Sequence, residues 1–256
     1  MMPVYHLDLS QDQLEGSTIA LLPGDPGRVK PIAEEIDQNS RELAYNREYH
    51  SYLSFIENTP VITCSTGIGG PSTSIAIEEL AELGIKKFIR IGTSGSIQED
   101  ISVGTIVITN GAVRLDGASD HFAPMTYPAV SDPSILFHLI KSAKKLGYPY
   151  RVGITASSAT FYQGQERYDS FSAYVPRHLR GSLEEWQKLN VLNYEMEAAT
   201  MFVLCSTMGL SAGCVCGIIA ARAKSEHVAM DLKAETVKRT IEVAVNAIKS
   251  LIDEDM

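Results

Sequence analysis

Nothing in this 256-residue chain offers a polyanion a place to bind: no run of basic residues occurs, and 22 lysines and arginines face 31 acidic side chains, a formal net charge of −9. Nucleic-acid backbones and anionic membrane surfaces both need clustered cations, so neither is expected as a partner. No stretch of about 18 or more apolar residues is present to span a bilayer. The opening MMPVYHLDLS lacks the basic start and long apolar segment of a signal peptide, and the cytoplasm is the expected location. Cysteine is scarce: Cys64, Cys205, Cys214 and Cys216. The CVC pair is too close for an ordinary disulfide, lacks zinc-ligand spacing, and on a strand would face one side, so four buried thiols are expected. Linkers, low-complexity segments and internal repeats are also missing, which predicts one domain over residues 1–256. Hydrophobic residues make up 45% of the chain, enough for a proper core and too many for disorder.

What is present alternates between two periodicities. Apolar runs end in turn residues at STIALLPG, PVITCS and KKFIRIG, the last expected to stop at Gly92 and enter a glycine loop. TIVIT, YRVGITASS and SAGCVCGIIAA read as further strands, and RELAY and YHSYLSFIE alternate as an antiparallel pair. Helical patterns lie at DPGRVKPIAEEI, STSIAIEELAELG, ILFHLIKSAKKLG, EMEAATMFVLCSTMG and DLKAETVKRTIEVAVNAIKSLI, with a weaker one at WQKL. A long loop is expected between Thr109 and Pro133. Strands apolar on both faces, alternating with helices, predict an α/β fold whose central sheet is covered on both sides.

Three strand ends run into glycine-rich loops, PGDPGR, STGIGGPS and RIGTSGS, where open α/β sheets present backbone N–H groups to ligands. None is a P-loop, and GIGGPS has Ser72 where a dinucleotide fingerprint needs its third glycine. The arginines set two of these loops apart. Arg28 follows Gly24 by four residues, and Arg90 lies inside an otherwise apolar strand just before Gly92, Thr93 and Gly95. An arginine there needs an anionic partner, either a carboxylate of the chain or a bound phosphate. A second polar cluster stands in FYQGQERYD: Phe161 offers a flat face, Gln165 an amide donor and acceptor, Arg167 donors only. A solvated turn and a pocket that reads the edge of a ring both fit that stretch.

Taken in order, PGDPGRV, STGIGGPSTSIAIEELAELG, RIGTSGSI, VRLDGASDHFAP, ASSATFYQGQERYD, GSLEEWQ and NYEMEAAT resemble the bacterial uridine phosphorylase family, a branch of the nucleoside phosphorylases. The likeness runs from about His6 to about Arg222. It implies one α/β domain with a mixed, partly barrel-like central sheet flanked by helices, assembled as dimers into a hexamer. It implies reversible cleavage of uridine by phosphate to uracil and ribose 1-phosphate, with phosphate as co-substrate and no cofactor required. By the same resemblance Gly24, Arg28, Arg90 and Thr93 bind phosphate with Arg47 of a neighbouring subunit. Thr93, Met196 and Glu197 hold the ribose with His6 of that neighbour. Phe161, Gln165, Arg167, Gly95 and Arg222 surround the base, and Glu48, Ile68 and Ser72 match a site that can hold potassium. Arg167, Gln165 and Arg90 are the expected catalytic groups.

The residue chemistry agrees with that implication. Breaking an N-glycosidic bond builds positive charge on the sugar and negative charge on the leaving base, and phosphate supplies the nucleophile, so no Ser-His-Asp or Cys-His arrangement is needed. Gln165 matches O2 and N3–H of uracil, and Arg167 matches O4. Glu197 suits two adjacent ribose hydroxyls, although Asn193 as a helix cap with Glu195 and Glu197 in the first turn explains the same residues structurally. Two departures from the family pattern, Ala220 and Ala221 in IIAAR and Val228 in AKSEHVAM, bear on the preference among uridine, deoxyuridine and thymidine. Alternatives are a purine nucleoside phosphorylase or a water-using nucleosidase of the same fold, and a non-catalytic nucleoside sensor.

Overall fold

In a computed structural model residues 2–225 and 228–255 are described, Asp255 through its backbone only. Of the loop AKSEHVAM, Glu226 and His227 lie outside the described residues. The apolar runs pair into one sheet. Its strands are β1 (Ile19–Pro23), β2 (Arg41–Asn46), β3 (Tyr49–Ile56), β4 (Thr59–Cys64), β5 (Lys87–Ser96), β6 (Ile106–Leu115), β7 (Ala129–Val130), β8 (Tyr150–Ser158), β9 (Asn193–Glu195) and β10 (Ser211–Ala221). The helices are α1 (Val29–Ile36), α2 (Gly70–Glu82), α3 (Pro133–Leu146), α4 (Ser182–Lys188), α5 (Ala198–Thr207) and α6 (Met230–Asp255).

Pairing closes part of this sheet on itself. β5 joins β10, β10 joins β6, β6 joins β8, β8 joins β9, and β9 returns to β5, so five strands form a ring. From β5 the sheet continues outward through β1, β4, β3 and β2. Three ladders of the ring are parallel and two, β10 with β6 and β9 with β5, are antiparallel, the mixed, partly barrel-like sheet that the resemblance implied. Both faces are covered, as the doubly apolar strands predicted. On β5, Phe88 packs into the core beneath α2 and α5, while Ile89 and Ile91 pack into the core beneath α3 and α6.

Three expectations about elements are corrected. RIGTSGS is no loop: β5 runs through it to Ser96, because its ladder with β10 continues from Lys87↔Ser211 to Ser96↔Ala221, shifting register between Ile218 and Ala220 as the ring closes. The long loop expected after TIVIT starts later, since β6 extends to Leu115 against β8, and before α3 it is interrupted by a 3-10 turn at Ala118–His121 and the short β7. Arg114 near its end explains VRLDGASDHFAP: the guanidinium is buried and donates to the carbonyls of Ser119, Ala123, Pro124 and Tyr127 at 2.6–2.9 Å, fastening the turn that follows. Finally, the helix expected from Glu195 begins at Ala198. Asn193 caps nothing. It belongs to β9, and its amide bridges Ser94 and Thr155 across the ring at 2.9 and 2.8 Å.

Candidate active site

A cavity of about 630 Å³ opens beside the carboxyl end of β1 and the last residues of β5 and β10. Its lining includes Gly24, Arg28, Arg90, Thr93, Gly95, Phe161, Gln165, Arg167, Met196 and Glu197, residues up to 173 positions apart in sequence, together with Glu48 and Ile68. His6, Arg47, Ser72 and Arg222 do not line it.

One corner is cationic. Asp25 shapes the turn after β1: its carboxylate accepts from Gly27 N–H at 2.9 Å and its carbonyl from Arg28 N–H at 3.0 Å. A Cβ at Gly24 would stand 3.1 Å from the Gly67 carbonyl, so any other residue there would press the two loops apart by a few tenths of an ångström. Burial pushes the Arg28 guanidinium below its ordinary value, and the nearby Arg90 charge adds to that. Two cations so close are relieved by an anion between them, and a tetrahedral oxyanion suits their donors.

Arg90 has carboxylate partners as well. Its Nε donates to Glu195 Oε2 at 3.0 Å and its Nη2 pairs with Glu197 Oε2. Burial disfavours its charge, but Glu197 and Glu195 outweigh that and keep Arg90 firmly protonated. Of the alternatives that the sequence left open for Arg90, the carboxylate partner is the one observed: two of its nitrogens are held by carboxylates, while it lines the cavity beside Gly24. Sequence reasoning missed Glu195 in this arrangement. Its Oε2 also accepts from the N–H groups of Glu197 and Ala198 at 2.8 and 2.9 Å, capping α5, and Ser157 donates to its Oε1. Its spacing two residues before Glu197 was the available signal.

Glu197 is 3% exposed. Its Oε1 accepts from Gly69 N–H at 2.6 Å. The expectation that the STGIGGPS loop presents free N–H groups for an anion is thus altered, for this group is already taken by a side chain of the protein. Burial raises the Glu197 carboxyl above its ordinary value, Arg90 opposes the rise, and Glu195 reinforces it. A buried carboxylate in this setting is a strong acceptor for neighbouring hydroxyls.

The third corner comes from FYQGQERYD. Gln165 and Arg167 are 3% and 4% exposed, so the solvated-turn reading of this stretch is excluded. Phe161 lies over the Arg167 guanidinium, 4.4 Å from ring centroid to carbon. Ile219, Ala220 and Val228 are apolar members of the cavity lining. Arg222 donates from Nη2 to the Gln165 carbonyl at 2.8 Å and lies over the Tyr194 ring at 5.3 Å.

Of the other residues outside the cavity, His6 and Ser72 are half-buried and Arg47 is exposed. His6 Nδ1 meets Glu79 Oε1 at 2.6 Å. Arg47, at the tip of the β2–β3 hairpin with φ 55°, sits over Tyr5, which is 75% exposed. Ser72 donates to Glu48 Oε1 at 2.8 Å at the cavity's rim.

An α/β protein with a closed five-strand ring, and a cleft joining paired arginines, a buried carboxylate and a buried amide–guanidinium pair, is built to hold an oxyanion, hydroxyls and a polar ring together. The phosphorylase superfamily model matches residues 18–254, and the chain belongs to that superfamily. It is 49% identical over 249 residues to the uridine phosphorylase of Escherichia coli (strain K12), covering 97% of this chain and 98% of that one. It is 48% identical over 252 residues to the uridine phosphorylase of Haemophilus influenzae, covering 98% and 100%. A guanosine phosphorylase of Halorubrum lacusprofundi is 36% identical over 240 residues, covering 91% and 93%.

Proposed function

We propose that this protein cleaves uridine with inorganic phosphate, reversibly, to uracil and ribose 1-phosphate, in pyrimidine nucleoside salvage or catabolism in the cytoplasm. The observation that carries the reading is the gathering of three kinds of group round one cavity: Arg28 with Arg90, Glu197, and Gln165 with Arg167.

In this reading phosphate lies against Arg28, Arg90, Thr93 and the backbone of Gly24, beneath C1′ of the ribose. Holding it there replaces much of the orientational entropy of a bimolecular encounter. Glu197 accepts from the ribose hydroxyls, with the Met196 backbone and Thr93 beside it. Glu195 keeps the Arg90 guanidinium in plane and is not itself a ligand. As the C1′–N1 bond lengthens, electrons flow onto the uracil carbonyls, and the Arg167 bond to O4 strengthens while Gln165 holds O2 and N3–H. Such a contact acts on the transition state more than on bound uridine. Phosphate oxygen then bonds to C1′, and uracil leaves as its anion before taking a proton.

Arg47 and His6 enter from a neighbouring subunit, the phosphate and the 5′-hydroxyl being their targets, and the assembly is a hexamer built of dimers. Their position outside this chain's own cavity supports that assignment. No cofactor takes part in the chemistry. Glu48, Ser72 and the Ile68 carbonyl hold a potassium ion between subunits. These are oxygen donors of the kind an alkali cation takes, and the Glu48 carboxyl lies below its ordinary value through its own backbone N–H and then the Ser72 hydroxyl.

The match to a guanosine phosphorylase leaves a purine substrate as the second reading. Against it, the lining carboxylates among the described residues are already engaged, Glu195 and Glu197 by Arg90, Glu48 by Ser72 and Asp25 by the turn after β1, which leaves none free to carry a proton to a purine ring nitrogen. Uridine and inosine, each incubated with and without phosphate, decide the matter. Uracil release that depends on phosphate is expected. Hypoxanthine release at a comparable rate, or uracil release without phosphate, would replace this reading.

A further inference from the structure

We infer that Glu166 is a positioning residue for base recognition: its carboxylate, anchored on the start of α4, sets Gln165 and Arg167 toward the cavity. The inference rests on the uracil-binding reading above.

Gln165 and Arg167 both line the cavity, and Glu166 between them does not. Residues two apart share a side along a strand, but this stretch is a turn. Gln163–Gln165 form a single 3-10 turn, and Glu166 follows with φ 52° and ψ 46°, the left-handed region that non-glycine residues adopt only when held there. What holds it is visible at its other end. Glu166 Oε1 accepts from Gly181 N–H at 2.6 Å, and Oε2 accepts from Leu183 N–H at 2.7 Å and from the Ser182 hydroxyl at 3.3 Å.

Those N–H groups need a partner. Gly181, the residue preceding α4, has no side chain with which to cap it. Glu166, 15 residues upstream, supplies the acceptor, and its charge suits the positive end of the backbone dipoles. α4 is in turn fixed to the ring: Leu183 and Trp186 pack on Ile97, Ala156 and Tyr194, and the Gln187 amide donates to the Ile97 carbonyl at 2.7 Å. A rigid path therefore runs from the barrel through α4 and Glu166 to the two side chains that meet the base. Arg222 clamps the same turn from the opposite side through the Gln165 carbonyl.

The test separates the anchor from the backbone conformation. Glycine adopts φ 52° freely, so Glu166→Gly removes the carboxylate without backbone strain, and Glu166→Gln keeps an acceptor oxygen. Steady-state kinetics of both variants with uridine and phosphate should show kcat/KM for uridine reduced about 10- to 100-fold in Glu166→Gly, in the range a misplaced contact of about 1 Å gives. The KM for phosphate should stay within about twofold, and Glu166→Gln should fall between the variant and the natural protein. Uridine parameters unchanged in Glu166→Gly would overturn the inference. So would equal losses toward uridine and phosphate, which mark general loosening. Calorimetric titration of natural protein and Glu166→Gly with uracil is read alongside. If the natural protein binds uracil but does not turn over uridine, the catalytic reading fails on its own, and weaker uracil binding by the variant still supports the positioning role. Equal uracil binding, or none by the natural protein, overturns it.

Discussion

At the scale of single residues, the site is governed by how burial and partners set charge. Arg167 is buried beside a half-exposed Phe161, and the two have different tasks. A guanidinium aimed at an oxygen that gains charge acts mainly on kcat, whereas an aromatic face acts on substrate and transition state alike. Arg167→Ala should therefore lower kcat by about 10²- to 10³-fold, the range of a lost oxyanion donor. Phe161→Ala should act mainly by raising KM for uridine, with a smaller energetic effect. Equal changes in both parameters for both variants would show the transition-state contact to lie elsewhere. Glu197 gives a second prediction. Burial, opposed by Arg90, raises its carboxyl, and only the ionised form accepts from two hydroxyls. The kcat/KM for uridine should thus fall on the acid side through a midpoint above the ordinary carboxylate value of about 4.3. For stability the sign is opposite: a carboxyl raised in the folded state contributes below its unfolded value, and that contribution is lost as pH climbs through the folded one. In Glu197→Gln the acid limb should vanish; its survival would assign that limb to another group.

At the scale of elements, glycines decide how closely helices cover the ring. A Cβ at Gly217 on β10 would stand 2.7 Å from Thr236 Cγ2 and run into Thr240 Oγ1, both on α6. A Cβ at Gly111 on β6 would meet only the Ala129 carbonyl at 3.5 Å, an ordinary contact. Gly217→Ala should cost about 1–3 kcal/mol through overpacking, seen as a thermal midpoint lower by roughly 2–10 °C. Gly111→Ala should stay within about 0.5 kcal/mol of the natural protein. Parallel melting curves check both, and equal midpoints would mean that α6 shifts to make room.

Across the whole molecule, Arg47 and His6, which the proposed reaction draws on, lie outside the cavity of their own chain. Both lie near exposed Tyr5 and, on the cavity's rim, Ile68 is 76% exposed. If these residues finish a neighbour's site, activity requires assembly. Specific activity, followed with sedimentation on dilution, should disappear together with the oligomer, and a fully active monomer would contradict the shared site. The buried thiols belong to this scale too. Cys214 and Cys216 face one side of β10 with their sulfurs 3.8 Å apart, as alternation along a strand requires, and burial pushes the Cys64 thiol up to about 12.

The sequence by itself determined whatever depends on neighbours along the chain. Runs such as SAGCVCGIIAA had to be strands buried on both faces, and the long amphipathic stretch after Asp231 had to be a helix, because hydrophobic period is local. The two arginines and the FYQGQERYD cluster also stood out, since costly groups stood at apolar strand ends and turns, whereas Glu197 read equally well as a helix-start residue and was marked only by the resemblance. What tertiary structure alone decided came from pairing between distant strands. Ladder partners carried β5 through RIGTSGS and β6 on to Leu115, made Asn193 a bridge inside a three-residue strand, and set Glu195 and Glu197 against Arg90. Closing a ring satisfies backbone and charge across separations of about 100 residues, and no pattern along the chain encodes which of its many carboxylates will be there to meet a buried arginine.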